Sequence, residues 1–145
     1  NTKYHFFVYG TLPVTMNKLF VQPFGADNYG DLRLYGRMLS AVFDCLTLLM
    51  VILLARQFEL LLGWRRGVKY LAGFIYAVLV FPIQNAHFFT VDSFLTSFTL
   101  MSLTAAVSHS RNPRWWKPVL SGTAAGLALA CKISTVYALP LIGLL

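Results

Sequence analysis

The sequence predicts an all-α protein, a polytopic bundle of about four to five transmembrane helices. Of its 145 residues, 57% are hydrophobic and only 12% are charged. A soluble domain carries roughly 25% charged residues, because it must cover its surface with them. The apolar residues also come in runs of membrane-spanning length, separated by short basic segments. This composition argues against a soluble globular enzyme, a disordered protein and a nucleic-acid-binding protein.

The net charge of +7 comes from 12 basic and 5 acidic residues. In a soluble protein such an excess indicates nucleic acid or acidic partners. In an apolar chain, basic loops that flank spans and fix their orientation explain it better, so no nucleic-acid partner is expected. The two cysteines, Cys45 and Cys131, lie in apolar runs without the spacing of metal ligands. We expect both to be small buried residues.

The first segment, residues 1–37, is rich in glycine, proline and mixed polar and aromatic residues. Such residues are typical of loops, and one short surface helix is predicted over 14–21. The aromatic side chains favour a position on the membrane interface. The chain starts at Asn1 without a signal peptide and ends within an apolar run, so we expect a piece of a longer protein. This segment would then be the end of its first outer loop.

Two predicted spans follow, over 38–62 and 68–89, joined by a basic turn. The first span contains a single charge, Asp44, across 18 residues, which at about 1.5 Å per residue matches the hydrocarbon core. Pro82 is expected to kink the second span, because proline removes a helix hydrogen bond. For Asp44 we favour a structural ion pair or a polar contact between helices over a catalytic role. Arg37, two turns earlier, can share its face.

Three further spans are predicted over 92–108, 118–131 and 136–145. Thr90 or Asp92 is expected to cap the first of them. The span over 118–131 contains a pair of glycines four residues apart, which would let another helix approach closely. We interpret that pair as simple packing.

The two basic loops that contain Arg65 and Arg111 are separated by two spans, so they lie on the same side of the membrane. The positive-inside rule makes that side cytoplasmic in a multi-pass protein of the cell membrane. The opposite, outer side then gathers most of the unusual polar residues. These are Asp31, Arg33, Arg37, Asp44, His87, Asp92 and Lys132.

Two kinds of chemistry are possible there, because charges at membrane depth are usually paired or functional. Asp92 is either a helix cap or a carboxylate that faces an outer cavity. With His87 and Asp31 it supplies ligand types suited to a divalent metal, although the spacing is not a metal motif.

The basic outer residues Arg33, Arg37 and Lys132 are candidates to bind an anion such as phosphate. Contact with lipid head groups is the alternative. The sequence contains no Walker loop, no dinucleotide fingerprint, no serine-hydrolase elbow and no zinc-protease motif.

Four stretches of the chain, taken in order, resemble membrane glycosyltransferases of the GT-C superfold. They are FVYGTLPVTMNKL, DLRLYGRMLSAVFDCLTLLMVILLARQF, FPIQNAHFFTVDSFLTSFTL and GTAAGLALACKIST. The series GR-x-LSA, IQ-x-x-HF-x-x-VD and GLALA-x-K is more specific together than any piece alone. The chain is similar over essentially its whole length to bacterial protein O-mannosyltransferases and aminoarabinose transferases of the glycosyltransferase family 39 type.

The resemblance implies an enzyme that moves a sugar from a polyprenyl-phosphate donor to an acceptor on the outer membrane face. It makes Asp92, and more loosely Asp31, candidate catalytic residues. It matches Arg37 and Lys132 to basic positions of the family, where with Arg33 they would bind the donor phosphate. The family's general base is expected upstream of the chain, so the piece alone is expected to be inactive.

Two other functions stay open: a fragment of a transporter or channel, and a non-catalytic membrane scaffold. A transporter needs its charges near the bilayer midplane and repeated broken helices. Here the charges cluster at the outer ends of spans and no internal repeat is visible, which favours the glycosyltransferase. The expected partners are the lipid-linked donor and membrane lipids, with the sugar, the acceptor and a divalent metal left open.

Overall fold

The computed structural model describes residues 10–25 and 28–143. Within those residues every regular element is helical, which confirms the all-α prediction. The seven α-helices are α1 (Leu12–Val21), α2 (Tyr29–Leu62), α3 (Val68–Val78), α4 (Val80–Ala86), α5 (Val91–Arg111), α6 (Trp116–Cys131) and α7 (Leu139–Gly143). Two 3-10 helices, Gln22–Phe24 and Ile133–Ala138, follow α1 and α6. Residues 1–9 of the predicted outer loop and 144–145 of the last predicted span lie outside the described residues.

Two of these helices, α2 and α5, are long and apolar enough to cross a membrane. The consecutive helices α3 and α4 count as a third span if the bent pair is taken together. Helix α6 occupies the predicted span over 118–131 but has 16 residues, or about 24 Å at 1.5 Å per residue. The described part of the chain therefore supports two or three of the predicted spans by length and composition.

Helix α2 begins at Tyr29, nine residues before the predicted start of the span at Met38. Asn28 stands at the N-cap with an extended backbone, and Asp31 lies in the first turn, where an acid suits the helix dipole. With 34 residues the helix is about 51 Å long, well beyond a hydrocarbon core of about 30 Å. Its first turns therefore extend past the apolar layer, and the polar residues predicted in a loop lie on a helix.

The predicted kink occurs between α3 and α4, which are bent by 60°. Leu79 separates them with an extended backbone, at φ −67° and ψ 128°. Pro82 explains the position, because its ring excludes the carbonyl of residue 78, four positions earlier, and it has no N–H to donate to it. Val78 is the last residue of α3. The bend thus falls one turn before the proline.

The core is formed where α5 packs between α2 and α6. It contains Phe43, Phe94, Phe98, Ala128 and Cys131. The rings of Phe43 and Phe94 lie 4.4 Å apart between centroids. Cys131 is buried as predicted, whereas Cys45 is exposed on α2.

Serine hydroxyl groups join α5 to α6 outside this core. Ser102 donates to the carbonyl of Ser121 at 2.8 Å, and Ser121 donates back to the carbonyl of Ser102 at 3.0 Å. The face of α6 that meets α5 therefore carries Ser121, and the glycines of the predicted close-packing pair point elsewhere. A Cβ added at Gly122 or Gly126 would meet nothing within 4 Å.

Contacts at the two ends fix the direction of the helices. Arg111 at the end of α5 donates to Gln57 on α2, so the two basic loops lie at the same end, which we call the basic end. At the opposite end the N–H of Gly10 donates to the carbonyl of Cys131 at 2.8 Å. A side chain at Gly10 would place its Cβ 1.7 Å from the Ala130 carbonyl oxygen, so only glycine fits there. We call this opposite end the Asp92 end.

Replacing Phe94 by alanine should lower the free energy of unfolding by about 3 kcal/mol, because the ring is fully buried and its removal leaves a cavity. Phe81→Ala is the matched control, since that ring is 68% exposed, and a change within about 0.5 kcal/mol is expected there. Unfolding of the intact protein in mixed detergent micelles measures both. Equal losses for the two variants would show that Phe94 is not the centre of the core.

Candidate functional site

The best-defined polar contact at the Asp92 end joins two residues that the sequence places 40 positions apart. The ammonium of Lys132 lies 3.3 Å from Oδ1 of Asp92. Asp92 is in the first turn of α5, two residues after the N-cap residue Thr90. The Thr90 hydroxyl makes no capping bond and instead contacts the hydroxyl of Ser93 at 3.3 Å.

The backbone around Lys132 is fixed by hydrogen bonds. Lys132 follows α6 as its C-cap, and its N–H donates to the carbonyl of Ala128 at 3.1 Å. The hydroxyl of Thr135 donates to the carbonyl of Lys132 at 2.8 Å, and Thr135 itself is buried. The Lys132 and Asp92 side chains keep 23% and 44% of their accessible surface. An ion pair is thus held in place at the end of the bundle, and both of its side chains are partly exposed.

A small cavity of about 150 Å³ reaches from Asp92 into the bundle. Asp44 and Asn85 line it together with Tyr76, whose hydroxyl donates to Oδ1 of Asp44 at 2.7 Å. This bond between α2 and α3 confirms that Asp44 makes a polar contact between helices. Its partner is a tyrosine on the neighbouring helix, and not the arginine two turns earlier on its own helix.

A larger cavity of about 750 Å³ opens beside α1 and the first turns of α2. Its polar lining includes Lys18, Arg33 and Asn17, and its apolar wall includes Phe88 and Phe89. Both cations are on exposed residues. The cavity therefore combines positive charge with an aromatic wall.

Asn17 links α1 to α2 at the wall of this cavity. Its side-chain N–H donates to the carbonyl of Leu32 at 2.9 Å, and the residue is 5% exposed. Its Oδ1 is buried without a hydrogen-bond partner among the described residues. Gly36 of α2 allows the ring of Phe89 to pack closely against the helix backbone, since a Cβ at Gly36 would lie 2.8 Å from that ring.

The predicted metal ligands do not come together in the part of the chain that the structure describes. No three His, Cys, Asp or Glu residues are grouped there to hold an ion. His87 ends α4, and its Nδ1 contacts the carbonyl of Ile83 at 2.7 Å. Asp31 lies in the first turn of α2, while Asp92 is paired with Lys132. The prediction of a His87, Asp92 and Asp31 set is not supported by this geometry.

The predicted phosphate-binding cations occupy different places. Arg33 lines the larger cavity, and Lys132 pairs with Asp92 at the small one. Arg37 is half-buried one turn after Arg33, and it forms no ion pair with a described acid. The sequence analysis missed Lys18, Asn17 and Tyr76. The spacing of Asn17 could have identified it. It lies four residues from both Pro13 and Val21, on the buried face of α1, where a polar side chain is unusual.

The model of the dolichyl-phosphate-mannose-protein mannosyltransferase family matches residues 17–144. The chain belongs to this family. The match runs from Asn17 in α1 past the end of α7, and so includes the Asp92–Lys132 pair, the small cavity and all lining residues of the larger cavity except Val14. No curated protein and no solved structure matches the chain.

Membership in the mannosyltransferase family confirms the resemblance and identifies the chain as part of a membrane glycosyltransferase of the mannosyltransferase type. It favours this function over a transporter, a channel or a scaffold. The apolar helices α2 and α5 agree with an integral membrane protein.

Tyr76→Phe should lower the free energy of unfolding by about 1 kcal/mol, because it leaves Asp44 without its interhelical hydrogen bond. Tyr70→Phe on the same helix is the control, since that side chain is 69% exposed and a change within about 0.5 kcal/mol is expected. The same micelle unfolding experiment measures both variants. If Tyr76→Phe lowers the free energy of unfolding no more than Tyr70→Phe does, the hydrogen bond between Tyr76 and Asp44 does not stabilise the packing of α2 on α3.

Proposed function

We propose that this chain is part of an enzyme that transfers a sugar from a polyprenyl-phosphate donor to an acceptor on the outer face of the cell membrane. The observation that carries the proposal is the Asp92–Lys132 pair, which keeps part of its surface exposed at the end of the bundle where Lys18 and Arg33 line the larger cavity. The mannosyltransferase family supplies the reaction class, and its description names a lipid-phosphate donor and a protein acceptor.

Lys132 has the chemistry needed by the leaving group. When the sugar departs, negative charge develops on the lipid phosphate, and a cation fixed near it stabilises the transition state more than the ground state. A lysine acts on phosphate as a compact point charge. Asp92 holds that ammonium in one place, so we assign Asp92 as a positioning residue for Lys132.

The larger cavity suits the head of the donor lipid. Its volume of about 750 Å³ is in the range of small-molecule sites, and its wall offers phenyl rings for the first isoprene units. Arg33 and Lys18 offer positive charge for the phosphate, and a guanidinium can bind phosphate oxygens through two hydrogen bonds. Arg37 lies four residues after Arg33, on the same helix face, and can extend this charge.

A carboxylate that is bound to a cation is a weaker base for proton removal from the acceptor hydroxyl than a carboxylate that is not. Asp92 is paired with Lys132, so the acid that the resemblance places upstream of the chain is the better general base. Asp31, in the first turn of α2, is the second candidate.

Lys132→Met in the intact protein should lower sugar transfer by about 100-fold, because it removes the fixed positive charge at the leaving phosphate. Asp92→Asn should lower sugar transfer by a similar factor, because it removes the carboxylate that positions the Lys132 ammonium. The assay uses radiolabelled polyprenyl-phosphate sugars and variants that insert and express equally. If Asp92 acts through Lys132, the double variant should be no slower than Lys132→Met alone. Asp92→Glu should recover part of the rate.

Lys69→Met is the matched control, since Lys69 forms the other ion pair of the described residues, with Glu59 at the basic end. It should leave transfer unchanged. A fully active Asp92→Asn would show that Asp92 serves only the first turn of α5. A wild-type protein that transfers sugar from none of the donors would contradict the proposed function.

Arg33→Gln should raise the KM for the lipid donor by about tenfold and change kcat little, because a charged hydrogen bond to phosphate is lost from binding. Arg56→Gln, an exposed arginine near the other end of the same helix, is the control and should change neither. Steady-state kinetics with varied donor separate the two constants. A fall in kcat with unchanged KM would contradict this assignment, because it would show that Arg33 stabilises the transition state and contributes nothing to donor binding.

A further inference from the structure

The basic end carries arginines that are not neutralised by any described acid. The segments 56–69 and 111–117 contain seven basic residues and one acidic residue, Glu59. Glu59 forms an ion pair with Lys69, at 3.9 Å, and with no other described base. Four arginines in or beside the two loops are exposed and form no ion pair within the described residues: Arg65, Arg66, Arg111 and Arg114.

The loop between α2 and α3 is held in shape by Glu59. Its Oε1 accepts hydrogen bonds from the N–H groups of Gly67 and Lys69, each at 2.9 Å. Only 8% of the Glu59 side chain is exposed. Glu59, the single acid of the two segments, is therefore bound by the backbone of the loop, and the two arginines in the loop are exposed and form no ion pair with a described acid.

The loop between α5 and α6 is held in shape by Lys117. This residue is 6% exposed, and its ammonium donates to the carbonyls of Ser108 and Asn112 at 2.7 and 2.8 Å. It thereby satisfies carbonyl groups at the end of α5 that the helix leaves without partners. Arg111 and Arg114, between those contacts, remain exposed.

The two loops form one surface. The Arg111 guanidinium donates to the side-chain oxygen of Gln57 on α2, which brings the α5 loop to the end of the α2 loop. Trp64 and Trp115 stand beside the arginines and are 52% and 82% exposed. Tryptophan is favoured at the head-group level of a membrane, so this surface lies where phosphate groups are.

We propose that this surface binds the head groups of anionic phospholipids in the leaflet that faces the basic end. Its residues are Arg65, Arg66, Arg111 and Arg114 with Trp64 and Trp115. Guanidinium groups bind phosphate oxygens in pairs, and unpaired basic residues at a membrane boundary attract anionic lipids. The exposed Leu60, Leu61 and Leu62 of the adjoining turn supply the contact for the acyl chains, which favours a lipid over an acidic protein.

The test measures which lipids the intact protein retains. Wild-type protein is reconstituted in phosphatidylcholine nanodiscs with a minor share of phosphatidylglycerol, and the lipids retained after delipidation are counted by mass spectrometry. We expect enrichment of phosphatidylglycerol that falls as salt is raised, because the charges are exposed. The double variant Arg111→Gln with Arg114→Gln should lose this enrichment by roughly tenfold. Substituting both residues by lysine should keep most of it.

Enrichment that is independent of salt and unchanged in the glutamine variant would overturn the proposal and leave an acidic protein as the partner of this surface. Loss of enrichment in both the lysine and the glutamine variants would also overturn it, because it would show that the loop geometry and not its charge had been lost. The readout does not involve sugar transfer, so it stands whether or not the proposed function holds.

Discussion

The apolar surroundings of this chain are the constraint on which its structure depends. A backbone in hydrocarbon must satisfy its N–H and C=O groups internally, so the described residues are almost entirely helical. The same constraint applies to side chains, because a lone polar group in that environment is costly. Polar side chains of this protein are accordingly paired between helices. Ser102 and Ser121 join α5 to α6, and Asp44 and Tyr76 join α2 to α3. These contacts, more than hydrophobicity, determine which helix faces meet.

The break at Leu79 determines the geometry of the Asp92 end. A straight helix through 68–89 would carry its last residues away along the membrane normal. The bend of 60° instead turns α4 aside, and the connection to α5 passes over Gly36 of α2. Phe89 then packs on the core through Phe94, at 6.0 Å between ring centroids, and also lines the larger cavity. One proline thus positions both the start of α5 and the wall of the cavity.

The sequence predicted the elements better than their pairings. The end of α2 near residue 62, the bend before Pro82 and the shared end of the two basic loops follow from local composition and from helix length. The contacts Asp92–Lys132 and Asp44–Tyr76 join residues 40 and 32 positions apart. Such contacts depend on how each helix is rotated about its axis, and apolar residues on every face leave that rotation undetermined. The early start of α2 was missed because its first turns lie past the apolar layer.

Charge is used differently at the two ends of the bundle, and the difference separates their roles. At the basic end, Glu59 and Lys117 are bound mainly to backbone groups of the loops. The arginines of these loops are exposed to the surroundings of the protein. At the Asp92 end, an acid and a base face each other at the mouth of a cavity and keep part of their surface open. A cation held by a neighbouring carboxylate needs little reorganisation when a phosphate gains charge, which is the condition for electrostatic catalysis. Exposed arginines that no described acid pairs with do not meet that condition, but they suit a fluid lipid layer whose head groups exchange. We therefore propose that the chain uses a positioned charge for chemistry at one end of the bundle and exposed charges for membrane contact at the other.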